Sequence, residues 1–190
     1  MLEALNHLFS CVCGQNVGHT WETGGMLLPL CQRCTGLYAG AGVAALAHLL
    51  LRPRITGAFL LWHGGFLLLM APFGMHWVSQ GPGLRASSGL LFGAGVFTFL
   101  WLPAMNVWRR QTPRESRWMV LLYMTALLAT ALGLPALAPS PSAAALYTVL
   151  GLLCTGAAAL VLVISTDAAL LVMAIGRQSA TGRVQLTLSA

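Results

Sequence analysis

Long apolar stretches separated by short polar segments occupy most of the chain after about residue 35. Each reaches or approaches the ~20 residues that an α-helix needs to cross a bilayer. Because lipid offers no hydrogen-bond partners, the backbone of such a stretch must pair within its own segment, as it does in a helix. The pattern predicts five transmembrane helices, over residues 35–51, 55–78, 86–108, 118–137 and 143–175.

Proline, glycine or clustered arginine separates these stretches at residues 52–54, 80–83, 109–117 and 139–142. The start of the chain lacks a basic stretch followed by an apolar core, so we expect no cleavable signal peptide. We expect an all-α, polytopic membrane helix bundle in three parts. These are a Cys/His-rich N-terminal segment (residues 1–34), a five-helix transmembrane domain (35–176) and a tail (177–190).

The composition also indicates a membrane protein. Of 190 residues, 57% are hydrophobic and 7% are charged, whereas soluble domains carry roughly 25% charged residues. The net charge of +6 comes from arginines in short loops, where they set topology, so we expect lipid and not nucleic acid as the partner. With four acidic residues in the chain, a hydrolase is not expected, and we predict no catalytic residues.

Arginine is unevenly distributed between the two sides of such a bundle. Arg33 and Arg85 fall on one side and eight arginines on the other. Cytoplasmic loops are enriched in basic residues. We therefore expect the C-terminus in the cytoplasm and the cysteine-rich N-terminus on the extracytoplasmic side of a bacterial inner membrane. The eight arginines are Arg52, Arg54, Arg109, Arg110, Arg114, Arg117, Arg177 and Arg183.

Two cysteines, Cys31 and Cys34, directly precede the first predicted helix. Positions three apart in the first turn of a helix share a face, so both sulfurs are expected to point into one space. The unpaired N–H groups and the positive dipole end of a helix N-terminus favour thiolates. The pair therefore suits half of a metal site or a redox dithiol.

Cys13 and His19 can supply the other half of a metal site, in the pattern C-x5-H-x11-C-x2-C. Tetrahedral zinc is bound by such Cys3His sets, and Cys11 is an alternative fourth ligand. Structural disulfides are an equally open alternative, because cysteines outside the cytoplasm tend to oxidise. Covalent c-type haem is not expected, since Thr35 stands where the C-x-x-C-H motif has histidine.

Residues 29–40, Pro-Leu-Cys-Gln-Arg-Cys-Thr-Gly-Leu-Tyr-Ala-Gly, resemble without a gap the Pro-Leu-Cys-x-Arg-Cys-Thr-Gly-x-Tyr-x-Gly motif of the family of small membrane proteins known as domain of unknown function 2085. Cys13 matches the first cysteine of the family, and residues 76–93 resemble a second family segment. The resemblance covers about residues 10–95. It implies a membrane protein with an external cysteine cluster, and it implies no activity.

Three positions depart from the family pattern. The family has histidine, arginine and aspartate where this chain has Gly14, His19 and His76. If the family site binds metal, one ligand is lost here and two candidate replacements are present. His76 is therefore a candidate additional ligand, and the alternative is a histidine at headgroup level beside Trp77.

His48 and His63 are predicted within the membrane, where polar side chains usually face the bundle interior. Two imidazoles on neighbouring helices are candidate ligands for a b-type haem or a chlorophyll magnesium; the alternative is that each hydrogen-bonds a neighbouring backbone. Asp167 lies at the cytoplasmic interface if the fifth helix spans from residue 143, and within the membrane if the span is centred later.

Gly36 and Gly40 in the first predicted helix, and Gly89 and Gly93 in the third, form two G-x-x-x-G pairs. Such pairs let helix backbones approach closely in membranes. We expect these two helices to pack together along the glycine faces, with Ser88 in the same contact.

These observations leave three functional hypotheses. The first is an accessory or structural subunit of a larger membrane complex, such as an electron-transfer or photosynthetic assembly, whose Cys/His cluster binds a metal such as zinc or forms disulfides. The second is a membrane thiol–disulfide oxidoreductase that uses Cys31 and Cys34. The third is a carrier of a metal or small solute that uses His48, His63 and Asp167.

Overall fold

Most of the fold consists of long helices that follow a small N-terminal cap. The computed structural model describes the backbone of residues 2–75, 77–108 and 117–188, and side chains within residues 4–75, 77–105 and 117–175. The elements are α1 (Leu2–Ser10), a 3₁₀ turn (Val17–His19), β1 (Thr20–Thr23), β2 (Met26–Cys31), α2 (Gln32–Leu46, continued by a π-helical turn at Ala47–Leu51), α3 (Gly57–Gly74), α4 (Pro82–Trp108), α5 (Arg117–Leu137) and α6 (Ala143–Leu188).

The predicted five-helix membrane bundle is confirmed. Within the described residues, α2 to α6 are each long and apolar enough to cross a bilayer. Two of them begin at least three residues earlier than predicted: α2 starts at Gln32, directly after a strand, and α4 starts at Pro82. Proline suits the first position of a helix because its φ is already helical and its missing N–H is not needed there. The predicted orientation in the membrane remains a prediction.

Helices α2 and α4 form the centre of the bundle. A Cβ atom added to Gly36 or Gly40 would collide with the backbone of α4, and one added to Gly89 or Gly93 would collide with the backbone of α2. Ser88 on α4 is also buried. Close backbone approach increases van der Waals contact where lipid removes the hydrophobic drive for helix association. The structure therefore places both glycine pairs in the α2–α4 contact.

Helices α3, α5 and α6 lie at the periphery of the bundle. Of their apolar windows, 11%, 17% and 6% are buried, compared with 56% for α2 and for α4. Large side chains such as Leu61, Leu132 and Val172 are therefore exposed. Apolar faces of this kind suit contact with lipid tails or with other membrane helices.

Helix α6 is longer than one membrane crossing requires. Its apolar part, Ala143–Ile175, has 33 residues, or roughly 50 Å of helix, against a hydrocarbon core of ~30 Å. Asp167 lies about 36 Å along the helix from Ala143. A span that begins at Ala143 therefore ends before Asp167, which favours the interfacial position over the intramembrane one.

The N-terminal segment forms a cap that contains a β-hairpin, which the sequence analysis did not predict. Gly24 and Gly25 make its turn with φ values of 58° and 75°, as two-residue hairpin turns require. The hairpin docks on the loop between α5 and α6. There the Gly24 N–H donates to the Ser140 carbonyl at 3.0 Å, and the Thr23 hydroxyl donates to the Ala138 carbonyl.

Candidate thiol and metal site

The junction of β2 and α2 positions two of the thiols. Cys31 is the last residue of β2 and the N-cap of α2, with φ −65° and ψ 160°. Because the chain turns from strand to helix at this residue, Cys34 lies in the first turn of α2. Both sulfurs face the same space, as side chains three apart at the start of a helix do.

Cys13 approaches these two thiols from the loop after α1. Its sulfur accepts hydrogen bonds from the backbone N–H of Gln15 at 3.5 Å and from that of Cys31 at 3.4 Å. The side-chain amide of Gln15 donates to the Asn6 carbonyl in α1 and to the Pro29 carbonyl in β2, at 2.9 Å each. Gln15 therefore ties α1, the loop and the strand together, and these bonds hold the Cys13 sulfur beside the start of α2.

The three sulfur atoms of Cys13, Cys31 and Cys34 form a single group that could hold a metal ion. They lie within 4.8 Å of one another, and all five cysteines of the chain, each within the described residues, are free thiols. A tetrahedral zinc ion bound ~2.3 Å from each sulfur would hold the sulfurs about 3.8 Å apart. Zinc binding would therefore require only a small movement of the three sulfur atoms. Cys13 is buried and the other two are partly exposed, so an ion can reach them from water.

Neighbouring donors make the Cys31 thiol acidic. The Cys34 thiol donates a hydrogen bond to the Cys31 sulfur, and the backbone N–H of Cys34 adds a second. Burial opposes these bonds without cancelling them, and the pKa of Cys31 is lowered to about 5. At neutral pH Cys31 is then a thiolate, which is the form that binds metals and attacks disulfides.

The remaining predicted ligands lie outside this three-sulfur group or outside the described residues. Cys11 is exposed, and its thiol contacts the His7 carbonyl at 4.0 Å. His19 ends the 3₁₀ turn and does not belong to the group. His76 lies outside the described residues. Within the described part of the chain, the site therefore offers three protein ligands, one fewer than a closed tetrahedral zinc site contains.

Residues 13–99 match the family described as "Predicted membrane protein (DUF2085)", which confirms the resemblance seen in the sequence. This part of the chain is similar to the DUF2085 family. The matched residues contain all three clustered cysteines and the helices α2 and α3. No curated protein and no solved structure gives a significant match to the chain.

Arg33, within the DUF2085 segment, links the thiol site to the connection between α3 and α4. Its Nη2 donates to the Phe73 carbonyl at 3.0 Å and to Gln80 Oε1 at 2.9 Å. Gln80 Nε2 donates to the same Phe73 carbonyl at 2.6 Å. The chain on both sides of residue 76 is thus held at the N-terminus of α2. These contacts of Arg33 and Gln15 were not predicted from the sequence, in which the one signal was that Arg33 lies within the DUF2085 motif.

The two histidines predicted within the membrane are buried and hydrogen-bonded. His63 Nδ1 lies 2.8 Å from the Phe59 carbonyl and carries the proton, because a carbonyl only accepts. In the neutral ring, Nε2 then accepts from the Tyr123 hydroxyl, also at 2.8 Å. His48 Nε2 lies 3.3 Å from the Thr98 hydroxyl. Since both nitrogens of His63 are engaged, ligation of a haem or a chlorophyll by this ring would break one of its hydrogen bonds.

Proposed function

We propose that this protein is an accessory membrane protein that binds one zinc ion through Cys13, Cys31 and Cys34, on the extracytoplasmic side. The observation that carries the proposal is the convergence of three free thiols, from the loop after α1, the end of β2 and the first turn of α2, to within 4.8 Å. Thiolate ligands favour zinc and other soft metals over magnesium or calcium.

The proposed role of the metal is structural. One ion would cross-link the cap to the first membrane helix, because its ligands come from both. A cap of about 30 residues is too small for a sizeable core of its own, and metal binding contributes directly to the stability of such small units. The match to a family described as a predicted membrane protein supports the placement of this cross-link at a membrane helix.

Elemental analysis of the detergent-purified protein, combined with counting of free thiols, tests this proposal. We expect one equivalent of zinc in the wild type and strong loss in Cys13→Ser, Cys31→Ser and Cys34→Ser, because each change removes one of three ligands. The matched control is Cys154→Ser, which removes an exposed thiol on α6 and should retain the zinc.

A metal-free wild type with no reactive thiol at positions 13, 31 and 34 would overturn the zinc proposal in favour of disulfides. Zinc that survives all three cluster substitutions would equally contradict it.

The chain also offers candidates for the fourth ligand. We expect His76→Ala to weaken zinc binding more than His19→Ala or Cys11→Ser, because Arg33 holds the chain around residue 76 at the start of α2.

We also propose that the protein is a subunit of a larger membrane complex. The sparsely buried apolar faces of α3, α5 and α6 leave surface for contact with a partner helix. Purification in a mild detergent, followed by native mass spectrometry, should retain a second polypeptide at fixed stoichiometry. A monomer that carries lipid alone would contradict the subunit role without affecting the zinc site.

A second candidate function is thiol–disulfide exchange, because Cys31 and Cys34 form a free dithiol at a helix N-terminus. In this reaction the Cys31 thiolate attacks a disulfide of a partner protein and releases one partner thiol. Cys34 then attacks the mixed disulfide, which leaves a Cys31–Cys34 disulfide and the second partner thiol. Zinc-free protein that exchanges with a glutathione redox buffer through these two residues would favour this function, and zinc-loaded protein inert to that buffer would exclude it.

A further inference from the structure

A cavity of about 680 Å³ lies between the N-terminal halves of α3 and α5. Its apolar wall includes Phe59, Trp62 and Phe66 of α3 and Met124 of α5, and Arg54 and Arg117 also line it. Pockets of this size hold ligands of drug or lipid-fragment dimensions. The cavity lies at the end of α2 opposite the thiols, because Arg54 follows the C-terminal turn of that helix.

The mouth of the cavity carries positive charge from two sources. Arg54 and Arg117 are both exposed side chains in its lining. In addition, α3 begins at Gly57 with Thr56 as its N-cap, so the positive dipole end of this helix lies beside the cavity. The arginines and this helix end together favour an anionic group at this position.

The cavity opens on the face of the bundle that is suited to lipid. Trp62 lines the cavity and is 67% exposed, and Trp118, next to Arg117, is 75% exposed. Tryptophan is enriched at the level of the lipid headgroups, where its amphipathic ring is stable. Arginine at this level keeps its charge in the headgroup region while its stem lies on apolar surface. An occupant would therefore have its charged group at the interface and its apolar part in the hydrocarbon layer.

We propose that this cavity, named here the Arg54–Arg117 groove, is a binding site for an anionic phospholipid. The phosphate group of the lipid pairs with the two guanidinium groups, which form strong, charge-assisted hydrogen bonds to phosphate. The acyl chain lies against Phe59, Trp62, Phe66 and Met124. Inorganic phosphate alone would leave this apolar wall uncovered, and a zwitterionic lipid would bring no net charge to the arginines.

Quenching of tryptophan fluorescence by brominated lipids tests the proposal on the 190-residue chain in mixed micelles. We expect dibrominated phosphatidylglycerol to quench at concentrations several-fold lower than dibrominated phosphatidylcholine. Trp62→Phe should remove most of the difference, because Trp62 is the tryptophan in the wall. Each of Arg54→Gln and Arg117→Gln should weaken phosphatidylglycerol binding about fivefold, the factor that corresponds to roughly one basic residue at an anionic surface.

The matched control is Arg52→Gln, which removes the same charge two residues from Arg54 but does not line the groove. It should keep the preference for phosphatidylglycerol, and each variant should elute like the wild type in size-exclusion chromatography. Equal quenching by the two lipids, or equal loss in Arg52→Gln and Arg54→Gln, would overturn the proposal. So would a preference that persists in the double variant R54Q/R117Q. None of these readouts depends on zinc.

Discussion

Among individual side chains, the hydrogen bond between His63 and Tyr123 shows how the bundle accommodates polar groups. Both residues are fully buried, and their rings stack with an interplanar angle of 4°. The Phe59 carbonyl fixes the proton on His63 Nδ1, which leaves Nε2 as the acceptor for the tyrosine hydroxyl. This bond joins α3 to α5 near the Arg54–Arg117 groove.

We expect Tyr123→Phe to lower the free energy of unfolding by about 1 kcal/mol, because it leaves His63 Nε2 without its donor and hydrogen bonds between membrane helices contribute on that order. Unfolding in SDS, followed by circular dichroism, measures the change. Tyr147→Phe is the control, since Tyr147 is 65% exposed, and it should unfold like the wild type. Equal stability of the two variants would show that the His63–Tyr123 bond is energetically neutral.

Between helices, glycine decides which surfaces can meet. Helix α2 contacts α4 through Gly36 and Gly40, and it contacts α6 through a further site at which a Cβ atom on Gly156 would collide with the Tyr38 carbonyl. Gly156 was not predicted as a packing residue, because it has no glycine four positions away. The contact is visible only once α6 is placed beside α2.

We expect Gly40→Ala to destabilise the bundle by more than about 2 kcal/mol, because the new methyl group would collide with the backbone of Leu90, which cannot give way as a flexible side chain can. Thermal unfolding in detergent measures the loss. The matched control is Gly151→Ala on α6, whose added Cβ meets nothing within 4 Å. That variant should be unchanged or up to ~1 kcal/mol more stable, since alanine favours helix. A Gly40→Ala variant as stable as the control would contradict the close α2–α4 contact.

In the whole molecule, the cap and the Arg54–Arg117 groove lie at opposite ends of the helix bundle. The cap docks on the α5–α6 loop and leads into α2, whereas Arg54 follows the other end of α2. If the arginine asymmetry sets the orientation, the thiols face the extracytoplasmic side and the groove faces the cytoplasmic leaflet.

Labelling with a membrane-impermeant maleimide tests this orientation. We expect the exposed Cys11 to react in intact cells. Compared with Cys11→Ser alone, the double variant Cys11→Ser/Gly57→Cys should gain additional label only after permeabilisation, because residue 57 starts α3 next to the predicted cytoplasmic loop. An added side chain at Gly57 meets nothing within 4 Å, so the fold should tolerate it. The reverse labelling pattern would place the thiol site in the cytoplasm.

The number and approximate positions of the membrane helices follow from the amino-acid sequence alone, because hydropathy over ~20 residues is a local property that the bilayer thickness converts into a helix. The shared face of Cys31 and Cys34 also follows from it, since their spacing and the helix start are both local. The Gly36–Gly40 and Gly89–Gly93 pairs were recognisable for the same reason.

The groups that join these two cysteines depend on the packing of segments that are distant in the chain. Cys13 reaches them because Gln15 ties its loop to α1 and β2, whereas His19, close to it in sequence, stays outside the three-sulfur group. The contacts of Arg33, the docking of the hairpin and the groove between α3 and α5 likewise depend on segments that lie far apart in the chain. Loops have no periodicity from which such convergence can be read, so it emerges only when the helices pack.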